Sequence, residues 1–195
     1  MSADDGPVRG PDGHRRCGWS YGSAEYVAYH DEEWGRTVRG DDPVFERLVL
    51  EGFQSGLSWI TILRKREAFR TAFAGFSIAA VAEFTDVDVE RLMADTGIVR
   101  NRAKISASIA NARASAALPG GVSDLVWSFA PTGRRRAPRT LADVPAVTAE
   151  STAMAKELKR LGFRFIGPTT AYAHMQATGM VNDHLVGCVA RSRRP

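Results

Sequence analysis

The sequence has 195 residues, and its 26 lysine and arginine residues against 22 acidic ones give a formal net charge of +4. This length suits one domain with its own core, and 44% hydrophobic with 25% charged residues argues against wholesale disorder. No apolar run is long enough to cross a membrane, and residues 1–16 lack the apolar core of a signal peptide. We therefore expect a cytoplasmic protein, whose small positive charge permits a polyanionic partner without requiring one.

The first half of the chain is predicted to be helical after a flexible tail. Residues 1–16, with three glycines and two prolines, form that predicted tail. Ser23 is a predicted N-cap for a first helix, and Asp42 followed by Pro43 is a strong start signal for a second. Ser58 opens a third helix whose apolar spacing suits a buried stripe.

The second half continues the helical pattern with one irregular stretch. Shorter helices, then a long one, then three more are separated by turn signals and by a loop rich in proline and arginine. We predict an all-α fold in one domain, residues 17–190, followed by a basic tail, residues 191–195; a minor strand pair near residues 163–166 stays open. The predicted helices start at Ser77, Thr85, Arg102, Ser123, Thr148 or Glu150, and Pro168, and the loop covers residues 130–147.

Both cysteines of the chain lie close to a histidine. Cys17 precedes His30, and His184 stands four residues before Cys188, the spacing that puts two ligands on one helical turn. Two thiolates and two imidazoles suit a closed tetrahedral zinc site that would join the two ends of the chain. The alternative is two buried free cysteines and two surface histidines, and spacing alone does not decide between these interpretations.

A short turn containing Gly97 separates two predicted helices. Such a turn has the form of a helix–hairpin–helix element, whose backbone N–H groups can hold a DNA phosphate. Arg100, Arg102 and Lys104 would supply neutralising charge. Most glycine turns between helices only connect them, so this pattern by itself is weak. The arginine run at residues 134–136 could add nonspecific DNA affinity, although a solvated loop without a role is the preferred interpretation.

One acid stands among aromatic and apolar residues. Tyr26 and Tyr29 share a predicted helix, Glu51 lies in an otherwise apolar run of the next, and Trp59 follows eight residues later. Aromatic rings with one carboxylate would suit a flat cationic ring. The pattern alone nevertheless favours a plainer interpretation, in which Glu51 is on the solvent face of an amphipathic helix.

Four blocks of the sequence are recognisable together. They are Cys17-Gly18-Trp19 with residues 26–35, residues 50–59, residues 97–100, and residues 181–188. In content and order these blocks resemble the 3-methyladenine DNA glycosylase I family, and they span nearly the whole chain. The resemblance implies an all-α helix–hairpin–helix glycosylase, expected as a monomer at the nucleoid, that flips 3-methyladenine out of double-stranded DNA and hydrolyses its N-glycosidic bond.

The resemblance also assigns residues to roles. It implies a structural Zn²⁺ on the four cysteine and histidine side chains, and a base pocket that contains Glu51. As the catalytic residue, Glu51 is expected to accept hydrogen bonds from the base edge and to stabilise positive charge. Leu57 looks like the side chain that plugs the DNA stack. The implied zinc ligands are Cys17, His30, His184 and Cys188, the implied base contacts are Tyr26, Tyr29 and Trp59, and the implied DNA contacts are Leu57, Gly97, Arg100 and Lys104.

Two features of related glycosylases are not expected here: an aspartate downstream of the turn, and a lysine nucleophile that forms a Schiff base. Residues 105–123, downstream of the turn, contain no Asp or Glu, and Asn101 stands where lyase-competent relatives have their lysine nucleophile. Glu51 is then the one acid within the pocket motif, and the product should be an abasic site without strand cleavage. The turn has Val99 in place of a second glycine. The competing hypotheses are a noncatalytic helix–hairpin–helix DNA-binding module and a lyase-competent repair enzyme.

Overall fold

The computed structural model describes residues 6–133 and 135–192. Within that part of the chain the fold is helical, in agreement with the predicted class. None of the described helices has the length and apolar character needed to cross a membrane. The helices are α1 (Ala24–Glu32), α2 (Asp41–Gln54), α3 (Trp59–Ala72), α4 (Ile78–Ala82), α5 (Asp86–Ala94), α6 (Arg102–Ala116), α7 (Gly121–Trp127), α8 (Ala149–Arg160) and α9 (Pro168–Ala177).

Local capping explains where several of these helices begin. The Ser23 hydroxyl accepts a hydrogen bond from the Tyr26 amide, and the Ser77 hydroxyl accepts one from the Ala80 amide, so both predicted caps are confirmed. Thr148 caps α8, and α9 has a proline in its first turn. The open question at residues 163–166 is resolved as an irregular loop without a strand.

The N-terminal residues are more ordered than predicted. Strands β1 (Val8–Arg9) and β2 (Arg15–Arg16) pair antiparallel, so the described part of the predicted flexible tail is a hairpin. The guanidinium of Arg16 is buried and pairs with Asp12 at 2.7 Å and with Asp31 of α1 at 2.8 Å. The ion pairs fix this hairpin against the first helix. Of the predicted basic tail, Arg191 and Ser192 close a 3₁₀ turn, and residues 193–195 lie outside the described residues.

Helix α2 lies at the centre of the core. It contacts α3, α6, α7 and α9, while α4 packs on α6 and α8 packs on α9. Its apolar side chains, among them Phe45, Leu48 and Phe53, are fully buried. Glu51 lies on the buried side of this helix, whereas Asp41 and Asp42 at its start are exposed.

Candidate functional site

A cleft of about 320 Å³ opens beside α2, within the ordinary size range of small-molecule pockets. Aromatic rings form much of its wall, and two carboxylates, Glu51 and Asp183, reach it. The cleft contains all four residues that the family resemblance assigned to a base pocket. Its lining residues are Trp19, Tyr26, Tyr29, Trp34, Glu51, Gln54, Trp59, Leu141, Val144, Ala173, Gln176 and Asp183.

Three helices place the residues that the sequence assigned to the pocket. The Tyr26 hydroxyl of α1 accepts a hydrogen bond from the Ile60 amide at 3.0 Å, which ties α1 to the first turn of α3. The rings of Tyr29 and Trp59 lie 5.3 Å apart and are tilted by 42°. These contacts fix an aromatic wall opposite the end of α2, a suitable surface for stacking on a flat ring.

Glu51 is buried, so the solvent-face interpretation suggested by the pattern alone is wrong. Its residue is 5% exposed, and burial raises the pKa of its carboxyl to about 8, although the charge of Arg47 works in the opposite direction. The pKa of the Tyr29 hydroxyl is also raised, mainly by burial and to a smaller extent by the negative charge of Glu51. Burial therefore favours the protonated form of Glu51 near neutral pH.

The second acid of the cleft was not found from the sequence. Asp183 is buried, and its Oδ2 accepts hydrogen bonds from the Tyr172 hydroxyl at 2.5 Å and from Gln176 Nε2 at 2.9 Å. The pocket motif suggested that Glu51 is the one acid of the pocket, but Asp183 lines the same cleft. The signal was available, because Asp183 lies in a recognised block directly before the expected ligand His184.

The arginine-rich loop is not simply solvated. The guanidinium of Arg135 donates to the Tyr172 hydroxyl at 2.9 Å and lies 3.6 Å from the Asp183 carboxylate. Burial lowers the pKa of Arg135, but these partners outweigh it and the net pKa is raised. Arg135 thus contacts Tyr172 and the cleft residue Asp183, while the expectation of a loop without a role stays a prediction. Arg134 lies outside the described residues.

The two cysteines and two histidines meet in one buried cluster. Their potential ligand atoms all lie within 4.8 Å of one another, so the cluster could hold a metal ion. The closest separation is 3.2 Å, between His184 Nδ1 and His30 Nε2, and Cys188 Sγ lies 3.5 Å from the same His30 atom. The alternative of surface histidines is wrong, because both rings are buried with the thiols.

Both histidines of the cluster are oriented through their other ring nitrogen. His30 Nδ1 lies 2.8 Å from an Asp31 carboxylate oxygen, and His184 Nε2 lies 3.1 Å from the carbonyl oxygen of Trp34. Since both partners only accept, those nitrogens carry protons, which leaves the nitrogens that face the cluster as the possible metal ligands. Partners of this kind favour metal ligation.

The cluster lies directly behind the aromatic wall of the cleft. The Trp19 ring packs edge-on against the rings of His30 at 5.2 Å and Trp34 at 5.1 Å, and it also contacts Tyr26. Trp34 in turn packs against His184 at 4.6 Å. Trp19 and Trp34 stood in a recognised block without an assigned role. The structure places them between the cluster and the cleft.

The turn between α2 and α3, which joins the cleft residues Gln54 and Trp59, carries Leu57. Its amide bonds to the Gln54 carbonyl at 2.7 Å, and the side chain stays 40% exposed. Lys104 holds this turn from below, since its ammonium donates to the carbonyl oxygens of Phe53 at 2.9 Å and Ser55 at 2.6 Å. Lys104 is buried, and burial lowers its pKa. In the structure the ammonium of Lys104 supports the Leu57 turn, and its role as a phosphate contact stays a prediction.

The turn between α5 and α6 is built for close approach. A Cβ on Gly97 would lie 2.9 Å from the Ala68 side chain, so a larger residue does not fit. Lys65 donates to the carbonyl oxygens of Thr96 and Gly97. Asn101 caps α6 through the Lys104 amide. Arg100 is exposed, and its guanidinium has no protein partner among the described residues, as a DNA contact requires.

Comparison with known proteins agrees with this geometry. The methyladenine glycosylase family model matches residues 19–192. The chain belongs to the methyladenine glycosylase family. The family resemblance noted in the sequence is therefore confirmed over nearly the whole chain.

Individual relatives cover most of the chain. DNA-3-methyladenine glycosylase 1 of Escherichia coli is 46% identical over 181 residues, which cover 89% of this chain and 95% of that protein. A DNA-3-methyladenine glycosylase of Haemophilus influenzae is 41% identical, with 91% and 98% covered.

Solved structures of the family have the same fold. A crystal structure of 3-methyladenine DNA glycosylase I superposes with a TM-score of 0.86 at 44% identity, covering 92% of this chain and 100% of the other. The Staphylococcus aureus enzyme, solved to explain 3-methyladenine recognition, gives 0.87 at 32% identity and covers 92% and 98%.

Proposed function

We propose that this protein is a monofunctional DNA glycosylase that removes 3-methyladenine from alkylated double-stranded DNA and leaves an abasic site. The observation that carries this proposal is the buried carboxyl of Glu51 inside an aromatic cleft of the right size for a flipped base. The relatives of this chain that carry an activity in their names are 3-methyladenine glycosylases, which supports the same substrate.

The carboxyl of Glu51 gives the cleft a preference for positive charge once it is ionised, and its raised pKa means that a proton must leave first. Adenine methylated at N3 is cationic while it is attached to deoxyribose, and its positive charge lowers the pKa of a nearby carboxyl. Arrival of the damaged base therefore favours loss of the Glu51 proton, and the carboxylate then stabilises the cation in a low-dielectric cleft. A neutral, undamaged base would leave the carboxyl protonated and gain no such attraction.

The bond-breaking step needs little acid help. When the bond between C1′ and the base breaks, its electron pair neutralises the positive charge of the leaving 3-methyladenine. Water adds to C1′ and loses a proton, which completes hydrolysis to an abasic site. The rings of Tyr26, Tyr29 and Trp59 hold the base by stacking and shape, so that the charge of Glu51 acts on a fixed target.

A lyase reaction would require a lysine amine at the cleft. The described lining contains no lysine, and Asn101 is used as a helix cap. Lys104, the lysine nearest to Asn101 in sequence, donates to the carbonyl oxygens of Phe53 and Ser55 beside the Leu57 turn. These placements support the monofunctional proposal over the lyase hypothesis.

DNA would lie across the two turns beside the cleft. Leu57 would fill the gap left by the flipped nucleotide, while the backbone around Gly97 and the side chain of Arg100 would hold phosphates. A noncatalytic DNA-binding module is the alternative. A binding module of that kind would not explain the buried carboxyl among aromatic rings. Burial of an unpaired acid lowers the free energy of unfolding, and such acids are typical of functional sites.

We also propose that the buried cluster holds a structural Zn²⁺. A tetrahedral zinc ion with Zn–N of about 2.0 Å and Zn–S of about 2.3 Å separates its ligand atoms by about 3.3–3.8 Å. The separations of 3.2, 3.5 and 3.7 Å among His30, His184 and Cys188 fit this, and Cys17 Sγ lies 4.0 Å from His184 Nδ1. Four protein ligands leave no open position, so the ion would join the chain ends instead of taking part in hydrolysis.

The deciding experiment is release of the free base. The protein, which we expect to act as a monomer on nucleoid DNA in the cytoplasm, is incubated with methylated duplex DNA, and released bases are separated by chromatography. We expect free 3-methyladenine and an alkali-labile abasic site. Binding without release would support the noncatalytic module. A covalent DNA adduct trapped by borohydride would support the lyase.

A further inference from the structure

Glu33, which directly follows α1, lies between two arginines from the next two helices. Its Oε2 accepts from Arg47 Nη2 of α2 at 3.0 Å and from Arg66 Nη1 of α3 at 2.6 Å, and its Oε1 accepts from Arg66 Nη2 at 2.8 Å. The side chains of Arg47 and Arg66 are 12% and 14% exposed, so these ion pairs are partly shielded from water. One carboxylate thus joins the three helices that carry the tyrosines, the acid and Trp59 of the cleft.

Arg47 lies one helical turn before Glu51. Residues four positions apart are neighbours on a helix surface, with about 5–6 Å between their Cβ atoms, so a side chain as long as Arg47 can reach either acid. Its Nη2 donates to Glu33, while its Nη1 is buried and has no protein partner within residues 6–133 and 135–192. Arg47 therefore has an unused donor for which an ionised Glu51 would be the acceptor.

The charges of Glu33 and Arg47 balance each other beside Glu51. Partial burial raises the pKa of Glu33, but its bonds to Arg66 and Arg47 outweigh this and lower the pKa to about 2, so Glu33 is ionised at neutral pH. The positive charge of Arg47 lowers the pKa of Glu51 against the larger effect of burial. Loss of the Glu33 charge would leave that positive charge unbalanced.

The remaining titratable groups around Glu51 do not replace Arg47 in this arrangement. They are Tyr29 of α1, Lys104 of α6, His174 of α9 and the cleft residue Asp183. Tyr29 and His174 are uncharged at neutral pH, because burial raises the pKa of the tyrosine and, with the charge of Arg47, lowers that of the histidine to about 3. Lys104 and Asp183 already have hydrogen-bond partners of their own.

We propose that Glu33 is a positioning residue, which holds the guanidinium of Arg47 away from Glu51 and so keeps the Glu51 carboxyl unpaired for a cationic base. This inference rests on the proposed glycosylase function, because the methylated base is the cation that an unpaired carboxylate would attract. An Arg47 paired with Glu51 would neutralise the carboxylate and would also repel the base. Glu33 prevents both effects.

The effect of losing Glu33 depends on pH. Above the pKa of Glu51 the carboxylate is already formed, so an Arg47 released by Glu33→Gln competes directly with the cationic base. Below that pKa, the released Arg47 also makes it easier for Glu51 to lose its proton when the base arrives, and this gain offsets part of the competition. A mere loss of contacts between helices would slow excision equally at both pH values.

Four variants test the proposal: Glu33→Gln, Arg47→Met, the two combined, and Glu46→Gln as the matched control. Glu46 of α2 pairs with Arg70 of α3 at 2.8 Å, so its substitution removes a comparable ion pair between helices and leaves the bond from Arg47 to Glu33 intact. Single-turnover release of 3-methyladenine from methylated duplex DNA is measured at pH 6 and pH 9. The pKa of the Glu51 carboxyl is measured by carbon-13 NMR without DNA, and each melting temperature is recorded.

We expect Glu33→Gln to lower the pKa of Glu51 from about 8 to about 7 or below, and to slow excision by about fivefold or more at pH 9 but by less than about threefold at pH 6. Arg47→Met should raise the pKa of Glu51. In the Arg47→Met background, adding Glu33→Gln should change excision by less than about twofold. Glu46→Gln should excise within about twofold of the wild type at both pH values.

Other results would overturn the proposal. They are an unchanged pKa of Glu51 in Glu33→Gln or in Arg47→Met, or an equal slowing at both pH values that persists in the Arg47→Met background. Such results would show that Glu33 only supports the helices. They are distinct from failure of the proposed function, in which the wild-type protein itself would release no 3-methyladenine.

Discussion

Replacement of Glu51 by glutamine should stabilise the protein, and the gain should grow with pH. The unfolded carboxyl titrates near 4.5, whereas the folded one has a pKa of about 8 because it is buried. Above pH 4.5 the unfolded chain loses a proton that the folded chain keeps, so folding becomes less favourable as pH rises toward 8. Glutamine keeps the shape and removes the ionisation from both states.

The expected size follows from those two values. For a pKa of 4.5 unfolded and about 8 folded, the carboxyl lowers the stability by about 1 kcal/mol at pH 5 and by about 3 kcal/mol at pH 7. The stability advantage of Glu51→Gln should therefore widen by about 2 kcal/mol over this interval. A change of that size is well above the error of a denaturant midpoint comparison.

The assay is urea unfolding of wild type and Glu51→Gln at pH 5, 6, 7 and 8 in the same buffer. Other titrating groups are present in both proteins, so their effects cancel in the difference. Glu32→Gln is the matched control for the loss of a carboxyl, because Glu32 is an exposed acid at the end of α1. A Glu51→Gln advantage that stays constant between pH 5 and 8 would refute the argument that burial keeps this carboxyl protonated.

Three further outcomes are expected. Glu51→Gln should slow single-turnover excision by about 10- to 150-fold, as loss of a charge-assisted contact of about 1.5–3 kcal/mol implies; a rate within twofold of wild type would leave Glu51 without a catalytic role. Cys188→Ser should remove bound zinc and lower the melting temperature by on the order of 10 °C, because loss of a structural metal is among the largest effects of a single substitution. An unchanged melting temperature, or an unchanged zinc content in elemental analysis, would contradict the zinc proposal. Arg100→Ala should reduce the slope of the logarithm of the DNA-binding constant against the logarithm of salt concentration by about 1, equally for all sequences. Lys104→Met should leave that slope unchanged and lower the free energy of unfolding by about 1–3 kcal/mol. A slope that falls for Lys104→Met and not for Arg100→Ala would show that Lys104 contacts phosphates.

The residues of the cleft were predictable in part, because the recognised blocks contain them. Tyr26, Tyr29, Glu51 and Trp59 meet as the resemblance implied, and the cysteines and histidines form one cluster. The environment of these side chains was not predictable. The pattern around Glu51 fits both a solvent face and a buried face, and only the packing of α2 among α3, α4, α6, α7 and α9 selects the buried one.

The sequence by itself determined where several helices begin, since a cap at Ser23 or Thr148 is a contact between residues three positions apart, although α7 begins at Gly121, before the predicted Ser123. Only the tertiary structure decided the partners of long side chains. Lys104 reaches carbonyl groups about fifty positions earlier in the chain, and Arg135 reaches Asp183 across a similar separation. A charged side chain takes the partners that the fold brings within hydrogen-bond distance, and those partners leave no periodic signal in the sequence around it.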